Sequence, residues 1–334
     1  MIAIDLPVVW AGIIAFAVGA YVVMDGFDLG IGMLFPLFKV GGERDRAMNS
    51  IAPVWDGNET WLVLGGGGLM AAFPLAYAIV LPALYAPLIA MLLGLVFRGV
   101  AFEFRWRDPA HRAFWDMAFC GGSLVATIAQ GVTLGALLQG IDVEGRASAG
   151  GWWDWLTPFS LLTGASLVVG YALLGSGWLI WKTTGALQAD ARRVARPLTV
   201  ALLVALAAVS IYTPFLEGRY YQRWFDYPGW LLTAPVPLLV AGAGFWLWRS
   251  IGGSRDGMPF LLTLALFGLS MMGLAISIWP DAVPGRVSIW AAAAPERSQM
   301  FMLAGAAVLV PVILAYTVWA YWVFRGKVDE TGYH

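Results

Sequence analysis

The chain has 334 residues, of which 60% are hydrophobic and only 12% charged, with a mean hydropathy of +0.74. A soluble domain of that length could not cover its surface with so few polar groups, so the composition excludes a water-soluble fold and indicates an integral membrane protein. A formal net charge of −1 gives no bulk attraction to nucleic acid, and the placement of the charges carries the information instead.

Uncharged runs mark the spans, since about 20 apolar residues cross the hydrocarbon. In chain order they are 6–24, 60–97, 117–141, 155–181, 197–216, 227–248, 257–280 and 298–324. The first lacks a basic leader and is too long for a signal-peptide core, so it reads as a retained span. The run 60–97 holds 38 residues, roughly 57 Å as one helix at about 1.5 Å per residue. It is therefore split near Pro74 and Pro82 into two spans, and the total becomes nine. With the N-terminus outside, 15 of the 20 basic residues fall inside; the other five, Arg146, Arg219, Arg223, Arg286 and Arg297, fall outside. Nine helices with a periplasmic N-terminus and a cytoplasmic C-terminus are predicted, as one membrane domain over 1–334. Helices 1–4 cover about 6–141, helices 5–8 about 155–280, and helix 9 about 298–324.

Asp25 and Asp28 stand three apart in Val23-Met24-Asp25-Gly26-Phe27-Asp28-Leu29-Gly30, hence on one helical face. Either they end a helix at the interface, paired with Arg44 or Arg46, or they face a protein interior or a water-filled crevice. The run stays apolar through Leu37, so at least one is expected to be buried and paired.

Asp56 and Glu59 repeat that spacing in Trp55-Asp56-Gly57-Asn58-Glu59-Thr60-Trp61. N-capping accounts well for one acid here, and less well for two acids with Asn58 between them. Carboxylates, an amide and trapped water at a membrane threshold form a proton relay, and that reading is preferred. Trp55 and Trp61 are expected to hold the mouth in place. Gly65 to Gly68 follow, and tight helix packing is preferred over a polar-lined channel.

Arg98 closes the uncharged run and is expected to pair with Asp25, Asp28 or Asp56, whereas Arg105 and Arg107 read as interfacial anchors. Asp116 either caps the fourth span or joins the same cluster; the cap is preferred. The tail 310–327, with Tyr316, Trp319, Tyr321 and Trp322, reads as a kinked span with aromatic interface anchors, and a quinone ring stacking there as the lesser alternative.

What the chain lacks narrows its chemistry. His111 lies in a basic loop and His334 is the last residue, so no span carries a histidine to ligate a b-type haem. The twelve Met residues read as packing fillers. Cys120 is alone, which leaves no internal disulfide. No phosphate-binding glycine motif with a lysine appears, against an ATP-driven pump.

The blocks Asp25-Gly26-Phe27-Asp28-Leu29-Gly30-Ile31-Gly32-Met33, Asn49-Ser50-Ile51-Ala52-Pro53, Trp55 to Trp61, Phe97-Arg98, Trp115-Asp116, Pro158-Phe159, Leu161-Leu162, Gly164, Ser298-Gln299 and the tail resemble the second subunit of the cytochrome bd family of quinol oxidases. The likeness runs from end to end. It implies two four-helix bundles plus a peripheral helix, paired with a subunit I that carries two b haems and a d haem, or a third b haem in the cyanide-insensitive branch. It also implies that the acid matching Asp56 lines a cytoplasmic proton path. Some members hold a quinone in a groove of this subunit and some add a small single-helix accessory subunit. Glu59 stands where some members have glutamine, and the outer loops are short for the family, so neither Glu59's role nor a quinone site carries over.

The sequence thus predicts a haem-free subunit of a quinol:O2 oxidoreductase in a bacterial inner membrane, with lipid, quinol, O2 and subunit I as its partners. Asp56 is the acid where protons enter. Asn58, Glu59, Asp25 and Asp28 complete the route, and Asp25 with Arg98 stabilises its mouth. The alternative from another class is an ion-coupled secondary transporter, which should work alone. A purely structural subunit would tolerate neutralisation of each acid.

Overall fold

The computed structural model of the chain describes residues 5–328. Its helices are α1 (Leu6–Leu34), α2 (Gly42–Asn49), α3 (Trp55–Ala72), α4 (Pro74–Ala83), α5 (Tyr85–Arg107), α6 (Arg112–Gln139) and α7 (Pro158–Lys182). Then come α8 (Gly185–Tyr212), α9 (Gly218–Phe225), α10 (Gly229–Thr233), α11 (Pro235–Ser250), α12 (Met258–Ile278), α13 (Ile289–Ala292) and α14 (Glu296–Val323). Strand structure among the described residues is confined to two antiparallel ribbons, β1 (Val143–Glu144) with β2 (Ala147–Ser148) and β3 (Asp281–Val283) with β4 (Val287–Ser288). Local chemistry sets the boundaries. Asp5 Oδ1 accepts from Val8 N ahead of Pro7 at α1, and Thr157 and Ser160 form a reciprocal capping box at α7. Gly140, at φ +91°, takes the chain out of α6.

Eight helical segments among the described residues are long and apolar enough to cross a membrane: Leu6–Leu37, Tyr85–Arg107, Pro109–Gln139, Pro158–Lys182, Gly185–Phe215, Gly229–Ser250, Met258–Ile278 and Glu296–Val323. The sequence predicts nine, and the difference is α3. Asp56, Asn58 and Glu59 in its first turns and the glycines Gly65 to Gly68 dilute its apolar content over 18 residues. The run 60–97 does divide, but into three helices rather than two. Pro74 opens the separate helix α4, whose 10 residues are too few to cross.

Helix α1 lies among α3, α6 and α7 and also touches α12 and α14. The closest backbone approaches fall at glycines outside the Gly65–Gly68 run. A Cβ on Gly30 would lie 1.8 Å from the Tyr171 carbonyl oxygen, one on Gly94 2.7 Å from the Gly122 carbonyl oxygen, and one on Gly131 2.6 Å from Gly164 Cα. Gly65 and Gly68 do pack on α1, with Val18 and Ile14 at 3.0 and 3.1 Å from their ideal Cβ positions, whereas Gly66 and Gly67 meet nothing within 4 Å. Helix α14 buries little beyond Gln299. Its C-terminal end is tied down by Lys182 Nζ donating to the Phe324 carbonyl. Lys327 Nζ donates to the carbonyls of Ile180 (3.2 Å) and Thr183 (2.9 Å) at the end of α7, where a cation complements the helix dipole.

Candidate functional site

Helix α1 runs unbroken through the Asp-Gly-Phe-Asp motif, and both acids are fully buried. Each residue of the motif has a packing reason. Phe27 stacks on Trp178 with centroids 4.3 Å apart, and a Cβ on Gly26 would lie 2.6 Å from the Tyr171 ring. Bulk is excluded at 26, and the two acids are turned toward α3 and α5.

Arg98, brought by α5, is also fully buried. Its Nη2 donates to Asp25 Oδ1 at 2.7 Å and to Glu59 Oε1. The guanidinium lies 5.5 Å from the Trp55 ring, and Trp55 in turn stacks on Phe102 at 4.6 Å. One arginine therefore joins a completely buried acid to Glu59, whose side chain is 29% exposed. Asp28 is held differently. Asn58 Nδ2 donates to its Oδ2 at 2.7 Å, and the Tyr321 hydroxyl of α14 donates to Asn58 Oδ1 at 2.9 Å.

A third strand of polar groups enters from α6 and α7. The Tyr171 hydroxyl donates to Gln130 Oε1 at 2.9 Å, and Gln130 Nε2 donates to the Tyr21 hydroxyl at 2.7 Å; Tyr21 stands beside Asp25. Hydrogen-bonding capacity remains. Asp25 Oδ2, Asp28 Oδ1, and Arg98 Nε and Nη1 are buried without a partner among the described residues. Buried polar atoms in a native interior normally bond to protein or to water, so this cluster is built for further polar company.

The predicted residues distribute unevenly. Asp25, Asp28, Asn58, Glu59 and Arg98 come together; Arg98 takes Asp25 and Glu59 rather than Asp56. Arg44 and Arg46 do not pair with the motif. Asp56 sits in the first turn of α3, exposed, and caps nothing, the cap position being Val54. Trp61 is buried edge-on against Phe16, 5.6 Å between centroids.

Asp116 corrects the preferred cap. It lies five residues into α6 and accepts from Arg44 Nη1 at 2.7 Å and Arg105 Nε at 2.5 Å. Arg105 is likewise no interfacial anchor. Its side chain is buried, with Asp45 at 2.9 Å as a second partner, so this second network fastens α2 to α5 and α6. Arg107 is the exposed residue of the pair, 3.1 Å from Glu103. Tyr21, Gln130, Tyr171 and Tyr321 were not legible as site residues. The one available signal was Gln130, the lone carboxamide in the apolar run between Asp116 and Gln139.

The spans offer a haem iron no buried histidine. Their one imidazole, His111, lies on an exposed turn at the very start of the segment Pro109–Gln139, and no group of three or more His, Cys, Asp or Glu side chains among the described residues is placed to hold a metal ion. His111 Nδ1 is 3.0 Å from Asp108, a hydrogen bond that holds the Asp108 carboxyl below its usual range; His334 lies outside the described residues.

A family model described as cytochrome bd terminal oxidase subunit II matches residues 6–324. The chain belongs to that family. Cytochrome bd-I ubiquinol oxidase subunit 2 of Escherichia coli (strain K12) is 31% identical, covering 97% of this chain and 96% of the relative. The cytochrome bd ubiquinol oxidase subunit 2 of Bacillus subtilis is 28% identical, with 96% of each chain covered. A chain in the structure of bd oxidase from Geobacillus thermodenitrificans shares the fold, with a TM-score of 0.80 at 16% identity over 97% of this chain and all of that one. As a subunit II of this family, the chain is part of an oxidoreductase complex embedded in a membrane, and the transporter alternative finds no support.

Proposed function

We propose that this chain is the haem-free subunit of a bd-type quinol:O2 oxidoreductase and that it carries the proximal part of the complex's proton route. The complex oxidises quinol near the outer face and reduces O2 to water at haems held by subunit I, two of b type and one of d type or a third b. The protons for water are drawn from inside, so each turnover moves charge across the bacterial inner membrane.

The orientation follows the basic residues, which place the N-terminus outside and the C-terminus inside. Helix α3 counts as the ninth crossing. In support, it runs along α1 from Asn58 beside Asp28 to Gly68 beside Ile14, which takes it deep into the layer that α1 spans. The chain is then one membrane domain, read as two four-helix bundles with α14 peripheral.

The observation that carries the route is the shared guanidinium. Arg98 bonds a part-exposed Glu59 and a fully buried Asp25 at once, making a polar passage from surface to interior where none is needed for packing alone. Exposed Asp56 stands one turn ahead of Glu59 as the acid that first takes up protons. Glu59 follows, Asn58 and Asp28 flank the passage, and Arg98 keeps the two paired carboxylates compatible with burial.

The test is Asp56→Asn in the assembled oxidase, with quinol-driven O2 consumption and proton uptake read together. A large loss of both with haem content unchanged is expected. Full activity would remove Asp56 from the route, and full activity after singly neutralising each acid would leave only a structural subunit.

A further inference from the structure

Tyr321 stands among the aromatic residues at the end of α14, where the sequence predicts interface anchors. Tyr316, Trp319 and Trp322 do face outward, at 66%, 63% and 54% exposure. Tyr321 turns the other way. Its ring packs edge-on to Phe27 (6.5 Å) and Trp178 (6.1 Å), and its hydroxyl donates to Asn58 Oδ1 at 2.9 Å.

A carboxamide has one accepting and one donating end, so a donor fixed on Oδ1 decides what Nδ2 faces. Here Nδ2 meets Asp28 Oδ2 at 2.7 Å, with the Met24 carbonyl at 3.3 Å. Among the described residues no charged group bonds Asp28 directly, and Oδ1 of the same carboxyl has no partner. The amide bond from Asn58 therefore sets the carboxyl's orientation, and the Tyr321 hydroxyl sets the amide. Without that hydroxyl the amide is held through Nδ2 alone, and its grip on Asp28 loosens.

We infer that Tyr321 is a positioning residue of the proton route, acting through the Asn58 carboxamide on Asp28. This rests on the route reading above, and it makes the last helix, otherwise loosely packed, part of the geometry of the site.

The experiment uses the assembled oxidase. Tyr321→Phe keeps the ring and removes only the hydroxyl. The infrared carboxyl band that Asp28→Asn eliminates should shift in Tyr321→Phe. kcat should fall about fivefold, the effect of one net hydrogen bond, with the quinol KM unchanged. Tyr316→Phe, on the outer side of the same helix, should match the unmodified complex in both readouts. Adding Tyr321→Phe to Asn58→Leu should change nothing further, because the bridge is already gone. An unshifted Asp28 band in Tyr321→Phe overturns the proposal, and so does a further loss in the double variant. The two readings fail separately. A shifted band alongside full activity in every singly neutralised acid variant removes the route and keeps the positioning, while an unshifted band beside a slow Asp56→Asn does the reverse.

Discussion

Arg98 Nη2 and Asp25 Oδ1 lie 2.7 Å apart with neither side chain exposed, although 73 residues separate them in the chain. A buried pair is weak as a source of net stability, because each ion has lost its water. Its consequence is asymmetric, since either partner alone becomes an uncompensated charge at membrane depth.

Arg98→Leu should accordingly cost about 3–5 kcal/mol, the loss typical of breaking a buried pair from one side. The expected result is a large drop in the thermal midpoint of the complex, or failure to assemble. Adding Asp25→Asn should restore part of the loss by removing the stranded carboxylate. A thermal midpoint unmoved by Arg98→Leu would mean that this arginine does not hold the cluster.

Asp56 and Asp25 should separate function from stability. The Asp56 side chain is exposed, without a hydrogen bond or ion pair among the described residues, so Asp56→Asn should change stability by less than about 0.5 kcal/mol while lowering turnover. Asp25→Asn removes the buried partner of Arg98, and both quantities should fall. Measuring thermal midpoint and oxidase turnover on the same preparations decides it, and equal stability losses in the two variants would contradict the assignment.

The membrane class, most of the spans and the acids of the site were legible in the sequence for physical reasons. Charge is so costly in hydrocarbon that Asp25, Asp28, Glu59 and Arg98 stand out against apolar runs. What was not legible depends on which neighbours tertiary packing supplies. Asp116 reads as a cap because it stands near a helix start, yet α2 brings Arg44 to it. Tyr321 reads as an anchor because aromatic residues at a span's end usually are, and only its rotation toward α3 separates it from Trp322. The ribbons at Val143 and Asp281 are too short to carry a periodic signal.

The glycines offer a test of packing that is independent of charge. Gly30→Ala should abolish assembly, because its Cβ would fall 1.8 Å from the Tyr171 carbonyl oxygen and backbone cannot yield that far. Gly66→Ala and Gly67→Ala meet open space within this chain, so neither should disturb its own fold; alanine is also the better helix former by about 1 kcal/mol. Assembly yield of the three variants measures this, and a Gly30→Ala complex of normal yield would refute the close α1–α7 crossing.

The C-terminal tie should respond to acid with a definite sign. Asp256 receives Lys327 Nζ at 2.7 Å and Arg192 Nη2 at 2.5 Å. The hydrogen bond from Lys327 is the foremost reason that its carboxyl is held below the usual range. A group whose pKa is lowered by docking favours the docked state above its free value, about 3.9 for Asp, and the contribution fades as pH falls through the lowered value. Both partners are part-exposed, so solvent screening limits the effect to about 0–1 kcal/mol. The Val328 amide, which donates to the Lys182 carbonyl at 2.8 Å, reports on the tie through hydrogen exchange corrected for its intrinsic pH dependence. Its protection should be constant near neutrality and decline below about pH 4. Asp256→Asn should show reduced protection at neutral pH, with that acid-dependent decline abolished. Neutral-pH protection unchanged by Asp256→Asn would mean that the Lys327 bonds to the carbonyls of Ile180 and Thr183 hold the segment without Asp256.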